Sequence, residues 1–130
     1  MKRVTGLGGF FFKTPNQEAM KEWYTRHLGI PVEDWFGCAF PWRDAEDPKK
    51  KGNTIWSLFK QSSDYFASDK QQFMCNFRVE NLDALLVELA KEGVRIDPKR
   101  DDSEYGKFAW VFDPDGNKVE LWEPPASEQA

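Results

Sequence analysis

The chain has 130 residues, enough for one domain with a buried core and too few for two independent ones. An apolar fraction of 40%, with 6 Trp and 11 Phe, argues for a packed fold rich in flat side chains and against disorder except at the C-terminal end. A formal net charge of −4 leaves no basic footprint for nucleic acid, and no stretch reads as a signal peptide or spanning helix, so a soluble cytoplasmic protein with no nucleic-acid or membrane partner is expected.

Val4 to Lys13 reads as a strand ending in three phenylalanines, with Gly6, Gly8 and Gly9 leaving space where something else approaches the backbone. Thr14-Pro15-Asn16 is a helix start in which Asn16 accepts from free first-turn N–H groups. Ala19, Met20, Trp23, Tyr24 and Leu28 then recur at helical spacing, and Gly29 stops the helix. Ile30 to Phe36 and Cys38 to Trp42 read as two short strands. The loop from Arg43 to Gly52, with Lys49-Lys50-Lys51 as a solvated run, leads to a strand over Asn53 to Phe59. Gln61 to Gln72 is a polar connector anchored by Tyr65 and Phe66.

The second half starts the same way. Phe73 to Val79 is a strand, Glu80-Asn81 a helix entry, and Leu82 to Glu92 an amphipathic helix closing at Gly93. Val94 to Ile96 starts a strand and Tyr105 to Phe112 forms another. Asp113-Pro114-Asp115-Gly116-Asn117 is a tight turn into the last strand, Lys118 to Glu123. Pro124-Pro125 ends it, leaving Ala126 to Ala130 as a frayed tail. The two cysteines, Cys38 and Cys75, make no spacing motif and read as small buried hydrophobes.

These two halves repeat. Setting Asn16 on Asn81 also sets Phe12 on Phe77, Lys13 on Arg78 and Ala19 on Ala84. With one residue fewer, Gly29-Ile30 falls on Gly93-Val94 and Gly52-Asn53-Thr54-Ile55 on Gly116-Asn117-Lys118-Val119. Phe40-Pro41-Trp42 likewise meets Phe108-Ala109-Trp110. The chain therefore reads as two strand-helix-strand-strand-strand modules, over about residues 4–60 and 73–124, joined by the connector 61–72.

This duplication, with Trp23-Tyr24-Thr25-Arg26-His27-Leu28-Gly29-Ile30 in the first module and Phe77 to Asp83 and Asp113 to Leu121 in the second, resembles the glyoxalase, bleomycin-resistance and extradiol-dioxygenase superfamily, also called vicinal oxygen chelate proteins. The match spans about residues 1–125 as a single domain. It implies an α+β fold in which the two modules form a curved mixed sheet, with helices on the convex side and a ligand pocket in the concave side. It also implies a homodimer.

In metal-using relatives four strands each offer a concave-face ligand. The resemblance puts those positions at Gly9 or its neighbour, Trp56, Met74 and Glu120. A divalent metal needs several deprotonated oxygen or neutral imidazole donors at about 2.0–2.3 Å, and of these side chains only the Glu120 carboxylate qualifies. No metal and no cofactor is expected. The sole histidine, His27, falls at the end of the first helix, where it suits the helix dipole.

On alternating faces the same positions describe an organic ligand site lined by Phe11, Trp56, Met74, Asn76, Arg78 and Trp122. Trp110 and an entrance residue, Tyr105, join it, although the face of Phe108, Trp110 and Phe112 is not fixed by sequence. Glu120 has two readings. It is a structural carboxylate paired with Arg78 or Lys118, or a buried carboxylate with a raised pKa able to act as general base or to meet a cationic ligand. The leading expectation is a protein with a degenerate metal site that binds a small, partly aromatic or apolar organic molecule in the concave groove. The alternative is a metal-independent lyase or isomerase-type enzyme with Glu120 as catalytic base, and a third reading is a metal-dependent glyoxalase or dioxygenase.

Overall fold

The computed structural model describes residues 1–129, and Ala130 lies outside the described residues. Strand β1 (Val4–Thr14) leads to helix α1 (Gln17–Leu28), then β2 (Gly37–Arg43) and β3 (Lys51–Lys60). After the connector come β4 (Phe73–Val79), α2 (Leu82–Lys91), β5 (Ile96–Ser103), β6 (Gly106–Phe112) and β7 (Lys118–Glu123), followed by a helical turn, α3 (Ala126–Gln129). The seven strands form one curved sheet in the order β2-β3-β1-β4-β7-β6-β5.

The sequence repeat is also the plan of the sheet. β1 pairs in parallel with β3, and β4 in parallel with β7, while β1 and β4 meet antiparallel at the centre. Both helices begin on the asparagines expected: Asn16 Oδ1 accepts from the Ala19 N–H and Asn81 Oδ1 from the Ala84 N–H, each at 3.0 Å. Gly29, at φ 69°, ends α1 with its N–H on the Thr25 carbonyl at 3.1 Å. No helix of the described residues is long and apolar enough to cross a membrane.

α2 buries Leu82 and Leu85 against Val79, Ala109 and Leu121 on the convex face. Each such side chain contributes roughly 1.5–3 kcal/mol by leaving water. α1 lies on the same face, where Tyr24 and Phe12 pack on Trp56, but it buries none of its own residues fully. The concave face has a separate core of Phe11, Phe66, Met74 and Trp110, ringed by Ile55, Phe59, Tyr65 and Phe108. Phe66 and Tyr65 come from the connector, so the connector folds into the concavity.

Three expected elements differ. Ile30 to Phe36 is not a strand: Val32 is buried, Glu33 and Phe36 close a turn, and Phe36 sits at φ 66°. Its hydrophobic alternation serves this turn, and the first module keeps three strands among the described residues. β5 runs well beyond Ile96 through a charged stretch, Asp97 to Ser103, that lacks strand composition. It is an edge strand, where charge and Pro98 are tolerated and discourage pairing with another chain. The segment expected to fray forms α3 over Ala126–Gln129, with Glu128 held by Arg78.

Candidate functional site

Strand register decides what faces the concavity. Gly9 stands opposite Asn76, Phe11 opposite Met74 and Ser57, and Asn76 opposite Glu120. Glu120 in turn stands opposite Trp110, and Trp122 is flanked by Arg78 and Phe108. Phe11, Met74, Asn76, Arg78, Trp110, Glu120 and Trp122 therefore share the concave face, as expected for all of them except Trp110, whose face the sequence leaves open.

Trp56 is the exception that needs correction. It lies on the convex face against Tyr24, with ring centroids 4.8 Å apart, and Ser57 takes its place. The pairing explains why. Phe11 opposes Ser57 as Asn76 opposes Glu120, and the Phe12/Phe77 match makes Phe11 the counterpart of Asn76. The counterpart of Glu120 is thus Ser57, one residue beyond the position reached by matching Gly52 to Gly116. A slip of one residue turns a strand's side chains to the other face.

Glu120 is 3% exposed and accepts from three neutral donors supplied by three elements. The Tyr65 hydroxyl and, at 3.2 Å, the Trp110 indole N–H donate to Oε1, while the Asn76 amide donates to Oε2. Neither Arg78 nor Lys118 pairs with it: the Lys118 ammonium donates to the Tyr65 carbonyl at 2.9 Å and approaches Asp97 at 4.0 Å. Burial pushes the Glu120 carboxyl above the usual range, and the bonds from Tyr65, Asn76 and Trp110 offset part of that. Burial also raises the Tyr65 hydroxyl, and the facing Glu120 charge raises it further. Asn76, 2% exposed, gives its N–H to Glu120 and leaves its Oδ1 with no partner among the described residues.

The connector is tied down over this cluster. Gln71 accepts from the Lys118 N–H and donates to the Lys118 and Phe73 carbonyls, and Lys13 donates to the Ser68 carbonyl. Tyr65 stacks on Phe59 at 5.5 Å and meets Trp110 edge-on at 5.9 Å.

At the other end of the same face Arg78, 4% exposed, lies between two indoles, with its guanidinium 5.0 Å from the Trp42 ring and 5.1 Å from the Trp122 ring. Its Nη1 and Nη2 donate to the two Glu128 oxygens at 3.0 and 2.9 Å, and the Asn53 amide adds a third bond at 2.9 Å. Tyr105 stands apart, with a side chain 68% exposed on the β5–β6 turn, and only its carbonyl takes part by accepting from the Trp122 indole at 2.8 Å. His27 is outside the concavity, its ring tilted against Trp23 with centroids 5.4 Å apart.

Sequence reasoning placed Tyr65 as an anchor but not beside Glu120, and it passed over Trp42, Asn53 and Glu128. Trp42 had a usable signal, since the repeat matches it with Trp110. Glu128 had none, because a single carboxylate after two prolines has no periodicity to read.

The fold agrees with comparison to known proteins. The model of the Glyoxalase/Bleomycin resistance protein/Dioxygenase superfamily matches residues 6–121, and the chain belongs to that family. Methylmalonyl-CoA epimerase from Mycobacterium tuberculosis superposes with a TM-score of 0.65 at 22% identity, covering 95% of this chain and 91% of that one. A variant of the Streptomyces coelicolor epimerase bound to 2-nitronate-propionyl-CoA gives 0.67 at 17% identity, covering 95% and 99%. The Mn(II)-bound glyoxalase from Novosphingobium aromaticivorans gives 0.54 at 20% identity, covering 95% of this chain and 40% of that one. No curated protein matches the chain by sequence. These structural likenesses establish the fold that the modules form.

Proposed function

We propose that this protein is a metal-independent member of the family that binds a small, partly aromatic or apolar organic molecule on its concave face. The observation that carries the reading is the Asn76–Glu120 pair: among the described residues, a carboxylate held only by neutral donors, beside a buried amide oxygen that lacks a partner. A ligand O–H or N–H satisfies Asn76 Oδ1 and replaces the Tyr65 hydroxyl on Glu120. The rings of Phe11 and Trp110 and the thioether of Met74 supply the apolar walls.

The donor set does not fit the metal that a glyoxalase relative carries. Gly9 offers no side chain, Met74 a soft thioether and Ser57 a neutral hydroxyl, and both Glu120 oxygens are already engaged. Among the described residues no group of three or more His, Cys, Asp or Glu is gathered. Protein purified without chelator is expected to carry sub-stoichiometric metal by elemental analysis, and stoichiometric metal lost in a Glu120→Gln variant would refute the reading.

The direct test is a thermal-shift screen of small aromatic compounds, repeated on Glu120→Gln and Asn76→Leu. Hits should weaken about tenfold in each variant, the cost of one well-placed hydrogen bond. Hits indifferent to both changes would sink the proposal.

A second reading is supported by the raised Glu120 pKa and by the epimerases among the structural neighbours: an isomerase-type enzyme in which Glu120 removes an acidic C–H proton. It is tested by deuterium uptake at the α-carbon of methylmalonyl-CoA in heavy water. Uptake abolished by Glu120→Gln supports catalysis on that substrate, and no uptake by the wild-type protein removes it. A homodimer belongs to the same reading. Trp23 and Leu28 are exposed on α1, which has apolar area free for a second copy, and light scattering on the purified protein checks the mass.

A further inference from the structure

The Arg78 end of the concave face is built more carefully than a structural ion pair requires. Three glycines make room for the Trp42–Arg78–Trp122 stack. A Cβ on Gly52 would lie 2.5 Å from the Trp42 ring, one on Gly8 3.0 Å from the Trp122 ring and from Arg78 Cγ, and one on Gly6 3.2 Å from Trp42. The stack fixes the guanidinium plane and turns its two-nitrogen edge toward Asn53 and Glu128. Arginine in this pose recognises a carboxylate through two parallel bonds, and the Asn53 amide supplies a third donor.

What fills that edge comes from a short segment. Glu128 sits on a helical turn of four residues after Pro124-Pro125, too short to hold a helix by itself. Beside the stack lies a cavity of about 140 Å³, bounded by Trp42 and Arg78 and by Lys2, Lys50 and Lys51, against the carboxylates of Asp44 and Glu80. The lining has a cationic excess in a chain whose net charge is −4. Such a surface attracts organic anions.

We propose that the Arg78 end binds a small organic carboxylate, and that Glu128 occupies the site as an internal, displaceable stand-in for that group. The inference rests on the concave face being a ligand site. An incoming carboxylate accepts from Arg78 Nη1 and Nη2 and from Asn53 Nδ2, and α3 detaches as Glu128 is released to water. The internal carboxylate then acts as a built-in competitor: the apparent affinity for an external one is reduced by the fraction of molecules in which Arg78 is uncovered.

The test titrates benzoate and its neutral counterpart benzamide into the full chain. Two-dimensional NMR follows the indole N–H peaks of Trp42 and Trp122, with Trp23 as remote reference. Glu128→Ala should bind benzoate at least about tenfold more tightly than the wild type, moving both indole peaks, while benzamide moves neither. Equal benzoate affinity in the two proteins, or benzamide binding as well as benzoate, would overturn the proposal. Should Glu128→Ala not fold, the wild-type titration decides: saturating benzoate must shift the Arg78 Nε–Hε and Glu128 amide peaks together, and fixed peaks overturn it. The Trp110 indole separates the two levels of inference. If apolar compounds move Trp110 and benzoate leaves Trp42 and Trp122 unmoved, the carboxylate site fails and the ligand reading stands; if nothing moves any of the three, both fail.

Discussion

The two ends of the concave face solve the same problem in opposite ways. Each buries one ionisable side chain, 3% exposed at Glu120 and 4% at Arg78, and each is covered by a piece of chain from outside the sheet. At Arg78 the charge is met by an opposite charge with fork geometry and by two aromatic faces. At Glu120 it is met only by neutral donors, so ionisation there is opposed by burial and only partly restored by hydrogen bonds. The Arg78 end is thus suited to exchanging one anion for another. The Glu120 end is suited to holding or releasing a proton.

The largest expected effect comes from emptying the Glu120 end. Glu120→Ala leaves the Tyr65 hydroxyl, the Trp110 N–H and the Asn76 amide without their acceptor in a buried site. At roughly 1–3 kcal/mol for each unsatisfied group, with water entering to relieve some of them, a loss of about 3 kcal/mol is expected in urea denaturation. A loss below about 1 kcal/mol would show that the connector does not seal the site. Arg78→Met should cost less, about 2 kcal/mol, because the Glu128 side chain is more exposed than Arg78 and, on its short segment, can turn into water once its partner is gone. If Arg78→Met proved the costlier of the two, the contrast between a sealed and an exchangeable end would be reversed.

The ends also separate by pH. Burial raises the folded Glu120 carboxyl above its ordinary value of 4.5, so the native state holds the proton more tightly than the unfolded chain. Its contribution to stability is therefore fully present below the unfolded value and declines as pH rises through the folded one. The slope within that window is at most about 1.4 kcal/mol per pH unit. Stability measured at intervals from pH 4.5 upward should show this decline in the wild type, and Glu120→Gln should remove it. An unchanged slope in the variant would assign the dependence elsewhere.

How much of this was legible in the sequence follows from where the signal is local. The caps at Asn16 and Asn81 and the turn at Gly116 are short-range chemistry, and with the repeat they gave the two-module order of elements, while the curved sheet came from the family resemblance. Met74 shares a face with Asn76, and Glu120 with Trp122, because each pair sits in a short strand whose alternation runs unbroken, while the resemblance indicated that this face is the concave one. Trp56 was misplaced because its face depends on a one-residue register that only the pairing with β1 defines. Tyr65 and Glu128 reach the site across gaps of 55 and 50 residues from Glu120 and Arg78. No periodicity links a connector or a tail to the strand it covers, and such contacts are decided by tertiary packing alone.

The smallest change probes the cover itself. Tyr65→Phe keeps the ring that stacks on Phe59 and meets Trp110 but removes the hydroxyl that donates to Glu120. That hydroxyl is the foremost of the bonds holding the Glu120 pKa down against burial, so its loss should raise the carboxyl further still. A carbon-13 NMR titration of the Glu120 carboxyl reads the shift directly, and the stability cost at neutral pH should be about 1 kcal/mol. An upward shift with the stacked ring retained would mean that the connector sets the proton affinity of the site. A fall in the pKa would mean that water enters when the hydroxyl leaves, and that Tyr65 acts on Glu120 mainly by excluding solvent.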